Sequence, residues 1–297
     1  HKAAGGVIIV LEPSTGAILA LAAQPTYSLA DPSFLSPANE PLYRLPAVSD
    51  VYEPGSVFKV VTMAAGLDAG AVTAGETYDD RGYVTEGGVR ISNWDGVAHG
   101  KQTMAEILQR SLNTGSVYVA RKLGASKFYE YVRAFGFGAP TGVELPGEAA
   151  GLVRDSKAPG WSATDLLTNS FGQGVAVTPI QMIMAASAIA NDGKMVAPHV
   201  LHAYIQNGQQ FNTSPQIVGM PISAETAHTL TDMLATSLEE EASDALVEGY
   251  RVAGKTGTAE IAVNGQYSSY ATNASFVGWG PVDDPKFIVY VWLEKPK

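Results

Sequence analysis

The chain contains no cysteine. Disulfide bonds, thiolate metal sites and a cysteine nucleophile are therefore excluded. The absence fits a cytosolic protein and an extracytoplasmic bacterial protein equally, so it leaves the compartment open. No stretch approaches the roughly 18 consecutive apolar residues that mark a membrane span, and the first residues show no signal-peptide pattern. Since an apolar strand begins almost directly after His1 and Lys2, we expect the sequence to be a domain of a longer protein.

Positive charge is also scarce. Lysine and arginine total 19 residues against 29 aspartates and glutamates, so the formal net charge is −10. A nucleic-acid partner needs a basic face, and this balance argues against one. The 46% hydrophobic and 16% charged content is typical of a globular protein. A length of 297 residues suffices for one large domain or for two lobes that share a core.

Strand patterns occur at both ends of the chain. Residues 6–23 form two apolar runs joined by Pro-Ser-Thr-Gly, which predicts a β-hairpin. Three further strands are predicted at residues 250–259, 274–280 and 286–293. Because helical patterns fill the middle, we expect one antiparallel sheet built from the two termini.

Helical patterns dominate between these ends. The predicted helices cover residues 56–69, 103–110, 113–124, 125–138, 178–193 and 223–241. Thr103 and Ser223 begin capping-box signals, and Thr178 is followed by a proline at the first helical position. The segments at 56–69 and 178–193 are apolar on nearly every side, so we expect both helices to be buried all round.

One motif near the end of the chain has two interpretations. Residues 249–256 match G-x-x-x-x-G-K-[ST], the phosphate-binding loop of nucleotide hydrolases. That loop requires a strand before the first glycine and a helix that begins at the lysine. Here an acidic, helix-like segment precedes Gly249, and Gly257 follows Thr256. The alternation through Lys255 instead favours a strand, so the phosphate-loop interpretation is rejected.

A lysine lies within the first predicted helix, three residues after Ser56. Residues three apart share a helix face, so the Lys59 ammonium can reach the Ser56 hydroxyl. Lysine is rarely buried without a reason, and burial disfavours its charged form. A neutral amine beside a hydroxyl is a general base beside a nucleophile. Ser56 also falls at the helix N-terminus, where free N–H groups favour developing negative charge. The alternative is that Ser56 only caps the helix and Lys59 extends to water.

Two further elements favour the catalytic interpretation. Ser111-Leu112-Asn113 falls between two predicted helices, and in an extended loop Ser111 and Asn113 would point the same way. The alternative is that Asn113 is an ordinary N-cap. On the predicted strand, alternation places Lys255 on one face and Thr256 and Thr258 on the other.

Gly257, between these two threonines, would permit a ligand to approach the strand closely. The alternative is a surface strand with a solvated lysine. Each of the three patterns is weak by itself, and their occurrence together carries the prediction.

With these patterns, S-x-x-K, S-x-N and K-T-G, the sequence resembles the penicillin-binding protein and serine β-lactamase superfamily. In detail it is similar to class B penicillin-binding proteins over essentially the whole chain. The segments that carry the resemblance are YEPGSVFKVVT, SLNTG, FGFGAPTGVELPGE, SFGQGVAVTPIQM, VAGKTGTAE and ASFVGWGP. The resemblance implies an α+β fold, a five-stranded antiparallel sheet flanked by helices plus an all-helical lobe. We expect a single transpeptidase domain over 1–297, with a sheet lobe from about 1–50 and 195–297 and a helical lobe from about 56–194.

The resemblance also implies a chemistry, peptidoglycan D,D-transpeptidation through a serine acyl-enzyme. Ser56 would be the nucleophile, Lys59 its base, and Ser111 the proton relay to the leaving amine. Lys255 would shape the local field and Asn113 would hold the substrate amide. Thr256 and Thr258, with Gly257 between them, would meet the terminal carboxylate. The backbone N–H groups of Ser56 and Thr258 would form the oxyanion hole.

The partners implied are peptidoglycan stem peptides, β-lactams as covalent inhibitors, and a membrane glycosyltransferase. We expect the membrane helix and the pedestal domain of this family to lie outside these residues, and the domain to sit at the extracytoplasmic face of the bacterial inner membrane. No cofactor, metal or nucleic acid is expected, although His199 and His202 are three residues apart. Trp94 and Trp161 are interpreted either as substrate-groove residues or as packing residues. The alternatives left open are a D,D-carboxypeptidase, a serine β-lactamase, and a catalytically silent penicillin-binding sensor.

Overall fold

The computed structural model describes residues 1–28, 30, 36–241, 243–263 and 266–297. The strands are β1 (Gly5–Leu11), β2 (Ile18–Gln24), β3 (Thr77–Asp80), β4 (Tyr83–Glu86), β5 (Val89–Ser92), β6 (Gly100–Thr103), β7 (Met195–Val196), β8 (Ala203–Gln206), β9 (Gln209–Asn212), β10 (Ile217–Gly219), β11 (Ala253–Val263), β12 (Gln266–Gly280) and β13 (Phe287–Glu294). The helices are α1 (Pro46–Ser49), α2 (Lys59–Asp68), α3 (Met104–Gln109), α4 (Asn113–Leu123), α5 (Ala125–Ala134), α6 (Ala163–Asn169), α7 (Pro179–Ala190) and α8 (Ala224–Glu241).

A five-stranded sheet joins the two ends of the chain. Its order is β11-β12-β13-β1-β2, and every neighbouring pair is antiparallel. β1 pairs with β13 from Gly5 opposite Glu294 to Leu11 opposite Ile288. The predicted hairpin, the three C-terminal strands and the α+β fold are therefore confirmed.

The core lies between this sheet and the helices. Val7, Ile9 and Leu11 of β1 are buried, and β13 alternates so that Ile288 and Tyr290 are fully buried. Both helices predicted to be buried are buried. Every residue of α7 is inaccessible, and α7 packs on β1 and β13. α2 is inaccessible along its first two turns, and α8 covers β11.

Helix boundaries depart from the prediction where local chemistry overrides the hydrophobic pattern. α5 ends at Ala134 and not at residue 138, because Gly136 and Gly138 adopt left-handed conformations with φ of 85° and 87°. The capping boxes at Thr103 and Thr178 are formed. At Ser223 the capping box is not reciprocal. The Ser223 N–H donates to Asp68 Oδ1 at 2.7 Å and not to the side chain three residues on.

The sequence analysis missed four two-stranded ladders. These are β3–β6, β4–β5, β7–β10 and β8–β9. They are only two to four residues long, too short to establish the apolar alternation that predicts a strand. β3, β5 and β6 lie beside the start of the helical segment that carries α3 and α4. None of the helices in the described part of the chain has the length and apolar character needed to cross a bilayer.

Candidate active site

Ser56 lies in a single turn of 3₁₀ helix, Gly55–Phe58, that leads directly into α2. Ser56 is partly exposed, whereas Val57 and Phe58 are fully buried. Gly55 has a φ of 60°, and a Cβ built on it would lie 2.9 Å from the carbonyl oxygen of Thr258. Since only glycine tolerates both conditions, the turn lies directly against β11, which brings Ser56 to that strand.

Lys59 is only 1% exposed, and its ammonium lies among polar groups. Nζ donates to the carbonyl oxygen of Ser111 at 2.5 Å, to Ser111 Oγ at 3.2 Å and to Asn113 Oδ1 at 2.8 Å. These contacts explain how a lysine can be buried here, because its three donors meet acceptors. They also bring together the first two sequence motifs, which are 52 residues apart.

The loop between α3 and α4 brings Ser111 and Asn113 together by a different geometry from the one predicted. Ser111 is not extended but left-handed, with a φ of 53°. Its N–H donates to the Leu108 carbonyl, and the next N–H donates to the Ile107 carbonyl. This is a Schellman ending of α3, in which the left-handed residue is usually glycine. α4 then begins at Asn113, whose N-cap is Leu112.

The Asn113 side chain links Lys59 to a neighbouring ladder. Oδ1 accepts from Lys59, and Nδ2 donates to the carbonyl oxygen of Ser92 in β5 at 3.0 Å. The amide therefore has a fixed orientation, with its second N–H hydrogen left for another acceptor.

Sequence reasoning missed the buried carboxylate behind this loop. Asp80 is 2% exposed and accepts from the N–H of Gly82, from Asn93 Nδ2, from the N–H of His99 and from Thr114 Oγ1. The four distances are 3.0, 2.9, 3.0 and 2.6 Å. Because Thr114 directly follows Asn113, this network anchors the start of α4. The available signal was the Asp-x-Gly turn at residues 80–82.

β11 places the third motif. Lys255 and Gly257 are buried whereas Thr256 and Thr258 are exposed, so the predicted alternation is confirmed. Lys255 is 3% exposed, and Nζ donates to the carbonyl oxygen of Thr256 at 3.1 Å. That Lys255 also points at Ser111 stays a prediction. The strand continues through to Val263, which is incompatible with the helix start that a phosphate loop requires.

Gly257 has a packing role that the sequence did not predict. A Cβ on it would lie 2.8 Å from Val57 Cγ1, 3.1 Å from the Val57 nitrogen and 2.6 Å from Ser275 Oγ. The missing side chain therefore admits the turn that carries Ser56; that Gly257 also admits a ligand stays a prediction.

A cleft of about 480 Å³ opens in front of these elements. Three predicted site residues line it: Ser56, Asn113 and Thr258. Thr256 is exposed but lies outside this lining. The lining residues are Gly55, Ser56, Val89, Arg90, Ile91, Ser92, Asn93, Trp94, Asn113, Thr168, Phe171, Gln173, Thr258, Glu260 and Thr272.

Of the two tryptophans, Trp94 fits the interpretation as a groove residue and Trp161 the interpretation as a packing residue. Trp94 lines the cleft, is 76% exposed, and donates from Nε1 to the Arg110 carbonyl at 3.1 Å. Trp161 packs against Tyr129, to whose hydroxyl it donates at 2.8 Å. Among the residues that the structure describes, no group of three or more histidine, cysteine, aspartate or glutamate side chains is arranged to hold a metal ion.

Comparison with known proteins identifies the family and the fold. Residues 6–297 match the family model described as "Penicillin binding protein transpeptidase domain". The chain is 36% identical over 300 residues to stage V sporulation protein D of Bacillus subtilis, covering 99% of this chain and 46% of that protein. It is 31% identical over 300 residues to the probable peptidoglycan D,D-transpeptidase PenA of Neisseria gonorrhoeae, covering 100% of this chain and 48% of that protein. The chain thus spans about half the length of these relatives.

Solved structures agree in fold. The crystal structure of penicillin-binding protein 3 from Mycobacterium tuberculosis, complexed with aztreonam, superposes with a TM-score of 0.90 at 31% identity. The match covers 99% of this chain and 67% of that one.

Proposed function

The chain belongs to the penicillin-binding protein transpeptidase family, and we propose that it is the catalytic domain of a peptidoglycan D,D-transpeptidase. One observation carries this proposal: the Lys59 ammonium, buried one turn after Ser56, contacts both Ser111 and Asn113. Acyl transfer needs a nucleophile and a base. A serine that borders a cleft supplies the first, and a buried lysine one helical turn away supplies the second.

In the proposed first step, Ser56 Oγ attacks the carbonyl carbon between two D-alanines of a stem peptide. Lys59 accepts the hydroxyl proton as the neutral amine, after its ammonium has lost one proton to solvent. Ser111 passes its hydroxyl proton to the departing amine of D-alanine and regains one from Lys59. The contacts of Lys59 Nζ with Ser111 support this relay, because they provide a short path from the base to the leaving group. Lys255, buried in β11, would add positive charge beside the relay.

We further propose that the substrate lies along the exposed edge of β11. Asn113 lines the cleft and would hold the substrate amide, while Thr256 and Thr258 would meet the terminal carboxylate across Gly257. The oxyanion would lie between the N–H groups of Ser56 and Thr258. The close packing of Gly55 against the Thr258 carbonyl supports this placement, since it brings the two backbones into contact.

The wider setting is likewise proposed. The sheet lobe would comprise about residues 1–50 and 195–297, and the helical lobe about 56–194. In the whole protein we expect an inner-membrane anchor, an extracytoplasmic location and a glycosyltransferase partner. PenA of Neisseria gonorrhoeae carries the name of a probable peptidoglycan D,D-transpeptidase, and the Mycobacterium tuberculosis structure holds a β-lactam. Both support stem peptides and β-lactams as the ligands of this chain.

Acylation and release of a fluorescent penicillin test the proposal. A transpeptidase forms a long-lived adduct, which the Ser56→Ala variant does not form. Rapid turnover of the penicillin would instead support a β-lactamase. Labelling that survives in Ser56→Ala would show that the nucleophile is another residue. An adduct without release of D-alanine from a D-alanyl-D-alanine peptide would support a silent sensor.

A further inference from the structure

Residues 195–224 contain no aspartate, glutamate, lysine or arginine, although these four make up 16% of the whole chain. The segment nevertheless lies at the surface. At its centre β8 and β9 form a hairpin that packs mainly against itself, and every residue from 204 to 212 is exposed. An exposed element without charge suits an uncharged ligand, because a charged ligand would find no charged partner on it.

The hairpin has a defined register. Its Asn-Gly turn has φ of 51° and 79°, as a two-residue type I′ turn requires. Tyr204 then lies opposite Phe211, and Gln206 lies opposite Gln209. Since alternate residues of a strand share a face, these four side chains lie together on one side of the hairpin, here called the ring-and-amide face.

The groups on the ring-and-amide face are accessible. The rings of Tyr204 and Phe211 are stacked, with centroids 5.2 Å apart and planes 16° apart, yet Tyr204 is 50% exposed and Phe211 is 40% exposed. The side-chain amides of Gln206 and Gln209 are exposed and hydrogen-bond to no group among the residues that the structure describes. Ring surface and amide groups are therefore both available to a ligand.

The opposite face of the hairpin has a different character. Its large apolar side chain is Ile205, which is 76% exposed. Its amides are Gln210 and Asn212, and Gln210 Nε2 donates to Asn212 Oδ1 at 2.7 Å. This face carries no aromatic ring and its two amides are bonded to each other, so it offers a matched comparison within the same hairpin.

The hairpin is rooted far from the catalytic serine. The segment before it is fixed to the β1–β2 turn, where the Ile18 N–H donates to the His199 carbonyl at 2.9 Å. Thr258, beside the catalytic turn, lies level with Gly6 at the other end of β1. From Gly6 to Leu11 a strand rises about 17 Å. A ligand on the hairpin therefore leaves the cleft free, and only a long ligand could touch both.

The chemistry of the ring-and-amide face matches a sugar. The face of an aromatic ring is electronegative and attracts the polarised C–H groups of a sugar, while an amide offers one acceptor and two donors to hydroxyl and acetamido groups. A membrane-surface segment would instead carry basic residues, which are absent here.

We propose that the ring-and-amide face binds the glycan strand of peptidoglycan, the neutral chain of N-acetylated sugars from which the stem peptides branch. This inference rests on the proposed transpeptidase function. It gives the domain a second contact with its polymeric substrate, at the end of the sheet away from Ser56.

The test uses the isotope-labelled full chain after acylation by benzylpenicillin, so that the catalytic cleft is occupied, with the adduct verified by intact mass. Hexa-N-acetylchitohexaose, a soluble N-acetylated oligosaccharide, is titrated while the backbone amide resonances are recorded. We expect saturable shifts concentrated at residues 203–212. Tyr204→Ala and Phe211→Ala should each weaken binding about tenfold, the loss of a contact worth ~1.4 kcal/mol. The matched control Ile205→Ala should bind as the wild type does.

Tyr204 and Phe211 lie outside the described lining of the cleft, so both variants should be acylated at the wild-type rate, which also verifies that they fold. An adduct without saturable hairpin shifts, or an equal loss in Ile205→Ala and Tyr204→Ala, would overturn the glycan site and leave the proposed function intact. Hairpin shifts with phosphatidylcholine vesicles but not with the sugar would overturn it in favour of a lipid surface. If no adduct forms, the proposed function has failed, and the glycan site that rests on it fails too.

Discussion

Ser111 occupies a backbone conformation that usually selects glycine, at φ 53°. A side chain in this conformation costs about 1 kcal/mol relative to glycine. We interpret the strain as the cost of placing a hydroxyl beside Lys59, 3.2 Å from its ammonium. Strain of this kind is retained where the surrounding structure and the function require it.

Two substitutions of Ser111 separate backbone strain from chemistry. Both Ser111→Gly and Ser111→Ala remove the hydroxyl, so we expect both to slow penicillin acylation to the same degree. Ser111→Gly also relieves the strain, so its free energy of unfolding should exceed that of Ser111→Ala by ~1 kcal/mol. Urea unfolding and acylation kinetics measure the two effects. Full activity in Ser111→Gly would show that the hydroxyl has no catalytic part.

The second prediction for a single residue concerns Asp80. Its two carboxylate oxygens each accept from two donors, so the amide nitrogen of Asp80→Asn would face donors whichever way it turned. We expect a loss of about 2–4 kcal/mol in the free energy of unfolding, together with slower acylation through displacement of Asn113. Urea unfolding and acylation rates provide the measurement.

The neighbouring residue supplies the matched control for Asp80. The Asp79 side chain is 68% exposed, and among the described residues its polar contact is with Arg81, at 3.4 Å. Asp79→Asn should therefore change stability by less than about 0.5 kcal/mol. Equal effects of the two substitutions would contradict the role assigned to the Asp80 network.

At the scale of elements, the contact between the Ser56 turn and β11 depends on glycine. In Gly257→Ala the new methyl group would lie within 3.1 Å of the Val57 nitrogen, which is backbone and cannot yield without moving the turn. We expect an overpacking cost of about 1–3 kcal/mol in stability. If the displaced turn raises the acylation barrier by ~1.4 kcal/mol, acylation slows about tenfold.

Acylation kinetics and thermal unfolding check the Gly257→Ala prediction. Gly75→Ala is the control, because a Cβ there meets no atom within 4 Å and Gly75 has no positive φ. Wild-type acylation by Gly257→Ala would mean that the turn does not depend on close contact with β11.

Asp68, at the end of α2, links this helix to α5 and α8 through hydrogen bonds. Burial pulls the pKa of Asp68 upward, but hydrogen bonds from Ser223, Tyr131 and Thr226 outweigh it and hold the pKa below its ordinary value. A depressed carboxyl pKa stabilises the fold above the unfolded value of about 3.9, and that stability is lost as pH falls through the folded pKa.

Asp68→Asn should therefore be less stable than the wild type at pH 7, and the gap should shrink as pH falls below about 4. Urea unfolding of both proteins from pH 7 to pH 3.5 measures the gap. Tyr131→Phe removes one of the three contacts and should show a smaller gap at pH 7. A gap that is constant with pH would contradict the role assigned to the Asp68 carboxylate.

On the scale of the whole molecule, the sequence predicted the elements whose pattern is repeated over many residues. The alternating apolar runs of β1, β2 and β13 and the all-round apolar character of α7 are such patterns. The short ladders were missed because two to four residues are too few to establish a period. The left-handed Ser111 and the end of α5 depend on single φ angles, which hydrophobic patterns do not encode.

The sequence predicted which residues belong to the candidate site better than it predicted how they are arranged. The three motifs named Ser56, Lys59, Ser111 and Lys255, and the structure shows contact between Lys59 and Ser111. Asp80 was not named, because a buried carboxylate is defined by donors that lie up to 34 residues away in the chain.

The central claim is that Ser56 is the nucleophile of an acyl-transfer site. Intact-mass measurement after benzylpenicillin treatment, with the adduct mapped to a peptide, tests it most directly. If Ser56 is the nucleophile, the protein gains one penicilloyl group, located at Ser56 and absent from Ser56→Ala. An unmodified mass, or an adduct on any other residue, would contradict it.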